Sequence, residues 1–431
     1  MDFFNIWALL LPLFSSWYGE NYDKCLALKS SLNLDNTTIL DVSYVPARGS
    51  VKTWHAPCGA KSQRTTASFC RLWGNGGLGG CIAYRDLDYG SAMHFATVAS
   101  NNGHDGNSGR PKRLCSRSIH TESVIGKQIV EAYYGREHDK SYYLGCSTGG
   151  RQGTYSALHL PPGLRPEFCA GAAATDFNHL LHWTGMLARA TGAPRPILPS
   201  LHPPKLWKLV TAEILSQCDA IDGVLDGMIT RTGRVGDKCL SRTQVRGGSQ
   251  GYSPLYGADG ELIYPRFDPG PDPIQGGLLA LSDGEFPPYT KGGGKFLTYH
   301  GRGECWCLIP SGNSKRVYNL IARTLGTPSL DDFYRLFLVP GMDHCAGGVQ
   351  GGVAGASEFG QLGGTNRIGV NASSHNILLA LVDWVEGGVA PANITGTATG
   401  KGKEERVHCR YPMRSVWDAE EKVFGCIPFG L

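Results

Sequence analysis

The sequence lacks any block of lysine or arginine, although its formal net charge is +4, and that absence argues against a nucleic-acid groove. It also lacks a basic amphipathic stretch of the kind that lies on a membrane surface. Beyond residue 14, no segment is long and apolar enough to span a bilayer. No internal repeat is visible. Nucleic acid and membrane are thereby set aside as partners, soluble substrates are the expectation, and nothing in the residues speaks to oligomeric state.

What is present points outward from the cell. Phe3 to Phe14 is an apolar stretch of signal-peptide length followed by small residues Ser15 and Ser16, so residues 1–18 are read as a signal peptide and the protein as secreted. The stretch is preceded by Asp2 and by no Lys or Arg, which leaves a buried N-terminal helix as the alternative. Fourteen cysteines favour an oxidising compartment, since a cytosolic enzyme rarely keeps so many. Sequons at Asn36, Asn371 and Asn393 are compatible with glycosylation there.

Chemistry enters with Gly145-Cys146-Ser147-Thr148-Gly149 after the apolar Tyr143-Leu144. A Gly-x-Ser-x-Gly pattern holds a serine on a sharp strand-to-helix turn, where flanking side chains do not fit, so that its Oγ projects above a sheet. In a chain with 59 glycines such a match also arises by chance. A second feature raises it: His344 is followed by Cys345, just as Ser147 is preceded by Cys146. One Cys146–Cys345 disulfide would bring the serine and the histidine together. The bland alternative is a free buried cysteine beside a surface histidine.

At 431 residues the chain exceeds one ordinary core, which predicts a catalytic domain with a large insertion, or two domains. The core reads as α/β. Ile119 to Tyr134 has helical spacing ending near Gly135, Ser141 to Leu144 reads as a strand, and a helix starts at Gly149. Phe296 to Tyr299 and Phe333 to Val339 are further runs of strand length leading into glycine turns. Between about Phe177 and Tyr289 the βα alternation stops, and this segment reads as an inserted lid. The division expected is a hydrolase domain over 19–176 and 290–431 with a lid over 177–289.

The Cys-Ser and His-Cys dipeptides, the run from Ser141 through Ser147 to Gly153, and Asp176-Phe177-Asn178 with Trp183 resemble the fungal tannase and feruloyl esterase family. The resemblance runs from about Cys25 to Cys426, and near Ser147 it is closer to the feruloyl esterases than to the tannases. It implies an α/β-hydrolase fold and a serine esterase releasing hydroxycinnamic acids from plant cell-wall polysaccharide. A small aromatic ester or a feruloylated polysaccharide is then the substrate. Gallate esters are the alternative, and a non-catalytic relative is a third reading.

A Ser/His pair needs a carboxylate to hold the imidazole, and in this fold's chain order it lies between the two. The resemblance implies Glu304, at the position after Tyr299-His300-Gly301 where the family carries Asp. Glu reaches more than ~1 Å further, and Cys305-Trp306-Cys307 lengthens the loop. Asp343 is the alternative, although an adjacent residue rarely folds back onto its neighbour's Nδ1. An oxyanion needs backbone N–H donors. Thr148 supplies one and Gly76 and Gly77, in a glycine run that also reads as a surface loop, are candidates for the other. Between Cys70 and Leu72 the chain is shorter than the family pattern, a trace that either an altered sheet edge or a shortened gene model leaves.

Asp219, Asp222 and Asp226, with Gly223 among them and Gly227 directly after, suit Ca²⁺ and a solvated acidic turn about equally, and the spacing is not that of an EF-hand. The resemblance implies calcium, with Val224 and Met228 adding backbone carbonyls and the ion serving structure. It also implies disulfides Cys25–Cys70, Cys58–Cys81, Cys146–Cys345 and Cys409–Cys426, with Cys218–Cys239 as a further possibility. Cys115, Cys169, Cys305 and Cys307 are left over, and an exposed free thiol among them would be unusual in a secreted protein.

Overall fold

The computed structural model describes residues 21–34, 42–52, 62–64, 69–70, 84–99, 116–159, 167–190, 204–225, 227–229, 254–266, 294–303, 309–326, 330–348, 358–361, 372–398 and 404–428. The chain divides into two compact units, Met1–Ser141 and Tyr142–Leu431. The first holds helix α1 (21–31), short strands β1 (Tyr44–Val45), β2 (Ser50–Lys52), β3 (Ser62–Arg64) and β4 (Phe69–Cys70), and helices α2 (Tyr84–Ala92) and α3 (Ser116–Tyr134). β1 pairs with β4 and β2 with β3, both antiparallel. Cys25, Leu28 and Leu34 bury with Val42 and Ile129 to make this unit's core. The helix expected from Ile119 begins three residues earlier and stops as read, because Gly135 takes φ +69° and donates its N–H to Glu131 O at 2.8 Å.

The second unit opens with β5 (Tyr142–Cys146), α4 (Thr148–His159) and β6 (Glu167–Gly171), a parallel βαβ unit. Helices α5 (Phe177–Ala190) and α6 (Pro204–Cys218) follow, then a 3₁₀ turn at Asp219–Asp222 and the antiparallel pair β7 (Leu255–Tyr256) and β8 (Leu262–Tyr264). The chain returns through β9 (Phe296–Gly301), α7 (Ser311–Leu325), β10 (Tyr334–Val339) and α8 (Ile377–Glu386). Strands β11 (Asn393–Thr397) and β12 (Glu405–Cys409) form one antiparallel pair, β13 (Met413–Asp418) and β14 (Val423–Pro428) another. The main sheet is parallel, in the order β10-β9-β6-β5.

The strands are mostly apolar because both faces of a parallel sheet are covered. Successive side chains point to opposite faces. Leu297, Tyr299, Phe337 and Val339 therefore bury against α8 residues Ile377, Leu381 and Trp384. Their neighbours Phe296, Tyr334 and Leu336 bury on the other side with Ala157 of α4 and Tyr318 of α7. Each large apolar side chain so buried contributes roughly 1.5–3 kcal/mol before entropy is counted. Asn376 fixes where α8 begins, its Oδ1 accepting from the amides of Leu378 (3.0 Å) and Leu379 (3.1 Å).

The stretch expected as a lid has a core of its own. Leu180 and Trp183 of α5, Ile214 and Cys218 of α6, Ile229 and Tyr264 bury together. The Asp176-Phe177-Asn178 segment is its root. Asp176 sits at φ +53° and its Oδ2 accepts from both terminal nitrogens of Arg316 on α7 at 2.8 Å. Such a forked ion pair fixes direction as well as distance. Among the described residues, no helix is long and apolar enough to cross a membrane.

Candidate active site

The Ser147 turn is a strained link between β5 and α4. Ser147 has φ +61°, a region that costs a non-glycine residue of order 1–3 kcal/mol and persists only where surroundings enforce it. They do so from both sides. Its N–H donates to Gly171 O at 3.0 Å, extending the β5–β6 ladder by one rung. Its carbonyl accepts from Arg151 N at 2.9 Å, the first bond of α4. Thr148 opens α4, so its amide lies at the positive end of the helix.

The glycines around Ser147 have distinct reasons. A Cβ on Gly145 or on Gly153 would lie 2.6 Å from the ring of Tyr143, which fills the space between them. A Cβ on Gly150 would lie 2.4 Å from the carbonyl oxygen of Gly171, because the first turn of α4 rests on the end of β6. Gly149 differs from the expectation: among the described residues its Cβ would meet only Tyr143 Oη, at an ordinary 3.5 Å. Pattern reading credits Gly149 with the close approach and passes over Gly150 and Gly153, since no five-residue motif carries contacts made with another strand.

His344 lies on a closed turn after β10. Asp343 donates its N–H to Gly347 O at 3.2 Å, and Met342 bridges Gly348. Four residues there take left-handed φ, namely Gly341, Cys345, Gly347 and Gly348. Cys345 is buried and disulfide-bonded to Cys146 across a chain separation of 199 residues. His344 Nε2 lies 3.8 Å from Cys146 Sγ, so the imidazole edge faces the residue before Ser147. The Cys146, His344 and Cys345 ligand atoms lie within 4.8 Å of one another, but a disulfide leaves no thiolate to bind a soft metal.

The turn after β9 is stitched to the His344 turn. Arg302 donates its N–H to Val339 O and Gly303 donates to Met342 O, both at 2.8 Å. Gly301 is required there, since its Cβ would come within 2.2 Å of Asp343 O. Glu304 follows Gly303 and lies outside the described residues, as do Gly76 and Gly77. His300 is structural. It is fully buried, with Nε2 donating to Ile309 O at 3.1 Å and Nδ1 2.7 Å from Ser314 Oγ, which ties α7 to the sheet.

The acidic loop closes on itself. Asp219 Oδ2 accepts from Gly227 N and Oδ1 from Met228 N, each at 3.0 Å. Gly223 at φ +95° and Gly227 at φ +73° let the chain double back. A carboxylate oxygen can accept from an amide and still ligate an ion, so the oxygen donors of this loop are of the type that suits a hard cation. Asp226 and the side chain of Asp222 lie outside the described residues. Met228 is buried, and a Cβ on Gly341 would lie 2.2 Å from its Sδ, so this loop packs against the start of the His344 turn.

Cys409 and Cys426 are bonded, while Cys25 and Cys218 are each in a disulfide whose partner lies outside the described side chains. Cys169 is free and buried within β6, where burial pushes its thiol up and leaves it inert. Cys58, Cys81, Cys115, Cys239, Cys305, Cys307, residues 1–18, Asn36 and Asn371 lie outside the described residues, and of Cys70 only the backbone is described. Asn393 is exposed at the start of β11.

A parallel sheet with a strained serine turn leaving one strand and a histidine turn leaving another defines the α/β-hydrolase class. The family model described as tannase and feruloyl esterase matches residues 67–246 and 278–426. A probable feruloyl esterase B-2 of Aspergillus terreus is 34% identical over 94% of this chain and 95% of its own length. A probable feruloyl esterase B of Aspergillus clavatus matches at the same identity and coverage. Feruloyl esterase B from Aspergillus oryzae superposes with a TM-score of 0.80 at 29% identity, covering 94% of this chain and 100% of that one. Tannin acyl hydrolase from Aspergillus niger, at TM-score 0.62 and 17% identity over 95% of each chain, shares the fold. The chain belongs to the tannase and feruloyl esterase family and is a carboxylic ester hydrolase.

Proposed function

We propose that this protein is a secreted serine esterase acting on hydroxycinnamate esters of plant cell-wall polysaccharide. The observation that carries the reading is the Cys146–Cys345 disulfide, with His344 Nε2 3.8 Å from Cys146 Sγ beside a strained Ser147. Ser147 Oγ attacks the ester carbonyl and passes its proton to His344 Nε2. The tetrahedral oxyanion forms against the Thr148 amide, where the α4 N-terminus favours negative charge. His344 then returns the proton to the departing alcohol, leaving an acyl-serine. Water, deprotonated by the same nitrogen, attacks the acyl carbon, and the released Ser147 recovers its proton from His344 as the acid departs.

Glu304 is assigned to hold Nδ1 of His344. Support comes from the stitching of Gly303 to Met342, which delivers the chain just before Glu304 to the His344 turn. Residues 177–289 form the lid, and the Asp219–Met228 loop is assigned one structural Ca²⁺ through Asp219, Asp222 and Asp226 with Val224 and Met228. That ion supplies charge balance and rigidity. Asn393, exposed, is assigned as a glycosylation site. Initial rates on methyl ferulate and methyl gallate test the substrate class. Preference for ferulate is expected. Preference for gallate supports a tannase instead, and inertness toward both in folded protein overturns the enzyme reading.

A further inference from the structure

Gly347, three residues past His344, donates its N–H to Oε1 of Glu358 at 2.6 Å. Glu358 is only 5% exposed. Its other oxygen lies 3.3 Å from Nε2 of the buried Gln361, whose own Oε1 accepts from Phe359 N at 2.7 Å. Among the described residues it has no ion-pair partner. Burial pushes this carboxyl up, opposed by the Gly347 amide and the Gln361 side chain. An apolar side chain would fill the same space without the cost of burying a charge.

The segment carrying Glu358 is anchored apart from the His344 turn. Its backbone exchanges two hydrogen bonds with Thr397 of β11, at 3.2 and 2.9 Å, and Phe359 O accepts from Ile377 N at the start of α8 at 2.9 Å. The His344 turn, by contrast, holds four left-handed residues within eight positions, among them the non-glycine Cys345 at φ +67°. Such a turn keeps its shape only when held from outside. The disulfide of Cys345 to Cys146 holds one side. Glu358 holds the other, through the N–H of the residue whose carbonyl closes the turn onto Asp343.

We propose that Glu358 is a positioning residue for His344: its buried carboxylate grips the Gly347 amide and fixes the angle at which the imidazole meets Ser147. The inference rests on the reading of His344 as general base. It assigns Glu358 no contact with substrate, so its effect belongs to turnover and not to binding.

The test compares wild type, Glu358→Met, Glu358→Gln and His344→Ala on methyl ferulate, reading kcat, KM and the melting temperature of each. Glu358→Met keeps the volume and removes the acceptor, and kcat is expected to fall by about 30-fold or more with KM within about twofold, since small misplacement of a catalytic group is costly. Glu358→Gln keeps an acceptor oxygen without its charge, so kcat should recover to roughly 3- to 10-fold below wild type. A Met variant that melts lower but turns over at the wild-type rate while folded overturns the proposal and leaves a purely structural role. Should the Met variant not fold, Gln decides: a wild-type kcat overturns the proposal, and a lowered kcat at constant KM supports it. If His344→Ala is inactive while Glu358→Met is fully active, only the Glu358 assignment fails. A fully active His344→Ala overturns both.

Discussion

Replacing Gly150 by alanine separates the close packing under the serine turn from the Gly-x-Ser-x-Gly pattern, to which Gly150 does not belong. The added Cβ would stand 2.4 Å from Gly171 O, against an ordinary contact of 3.4 Å. Gly171 O already accepts from Ser147 N, so the obstacle is a fixed backbone atom and not a mobile side chain. The start of α4 must therefore lift by about 1 Å, a displacement that in a catalytic constellation can cost up to about 100-fold in rate. Overpacking of this kind costs about 1–3 kcal/mol, which in a domain this large lowers the melting temperature by a few degrees, at roughly 2–4 °C per kcal/mol. Gly149→Ala is the control. It has room, and alanine favours a helix over glycine by ~0.8–1 kcal/mol, so its melting temperature should hold or rise slightly. The assays are thermal unfolding of both variants and kcat of Gly150→Ala on methyl ferulate. A Gly150→Ala enzyme with unchanged kcat and melting temperature, or a Gly149→Ala protein that melts lower than Gly150→Ala, refutes the reasoning.

Glu304→Gln should leave the fold intact and lower kcat by about 10³- to 10⁴-fold, because an amide can favour the wrong tautomer and cannot stabilise imidazolium; an unaffected rate places the acid elsewhere. Chelation with EDTA should lower the melting temperature and added Ca²⁺ should restore it, since an ion bound only by the folded state stabilises it by mass action. Protein that is free of calcium by metal analysis and insensitive to EDTA identifies the Asp219 loop as a self-satisfied turn. The carboxyl of Glu358 is raised from the usual 4.5 by burial, so its contribution to wild-type stability is present below that value and lost as pH climbs through the raised one. The melting temperature of Glu358→Gln relative to wild type should therefore rise with pH across that window and level off beyond it, and a difference that shrinks as pH rises contradicts the buried, raised carboxyl.

The strands were legible where burial on both faces wrote a mostly apolar run, as in Phe296–Gly301 and Tyr334–Val339, in spite of Thr298, His300 and Arg335 within them. The pairing of Cys146 with Cys345 was legible too, because each cysteine adjoins a residue of the expected catalytic pair. What the sequence hid is contact between distant segments. Nothing near Gly150 announces that Gly171 O lies against it, and nothing near Glu358 announces Gly347. His300 shows the converse, a histidine beside the expected acid position whose ring is consumed by Ser314 and Ile309. Asp176-Phe177-Asn178 stood out as a motif, but its reason is the Arg316 fork 140 residues further along.

The central claim is that Ser147 is the nucleophile, and covalent labelling tests it most directly. The enzyme is inactivated with a fluorophosphonate, digested, and the modified peptide sequenced by mass spectrometry. One phosphonyl group per chain, on Ser147, with label and loss of methyl ferulate hydrolysis rising together, is the expected result. Complete inactivation with the label on another residue, or full activity retained with Ser147 labelled, contradicts it.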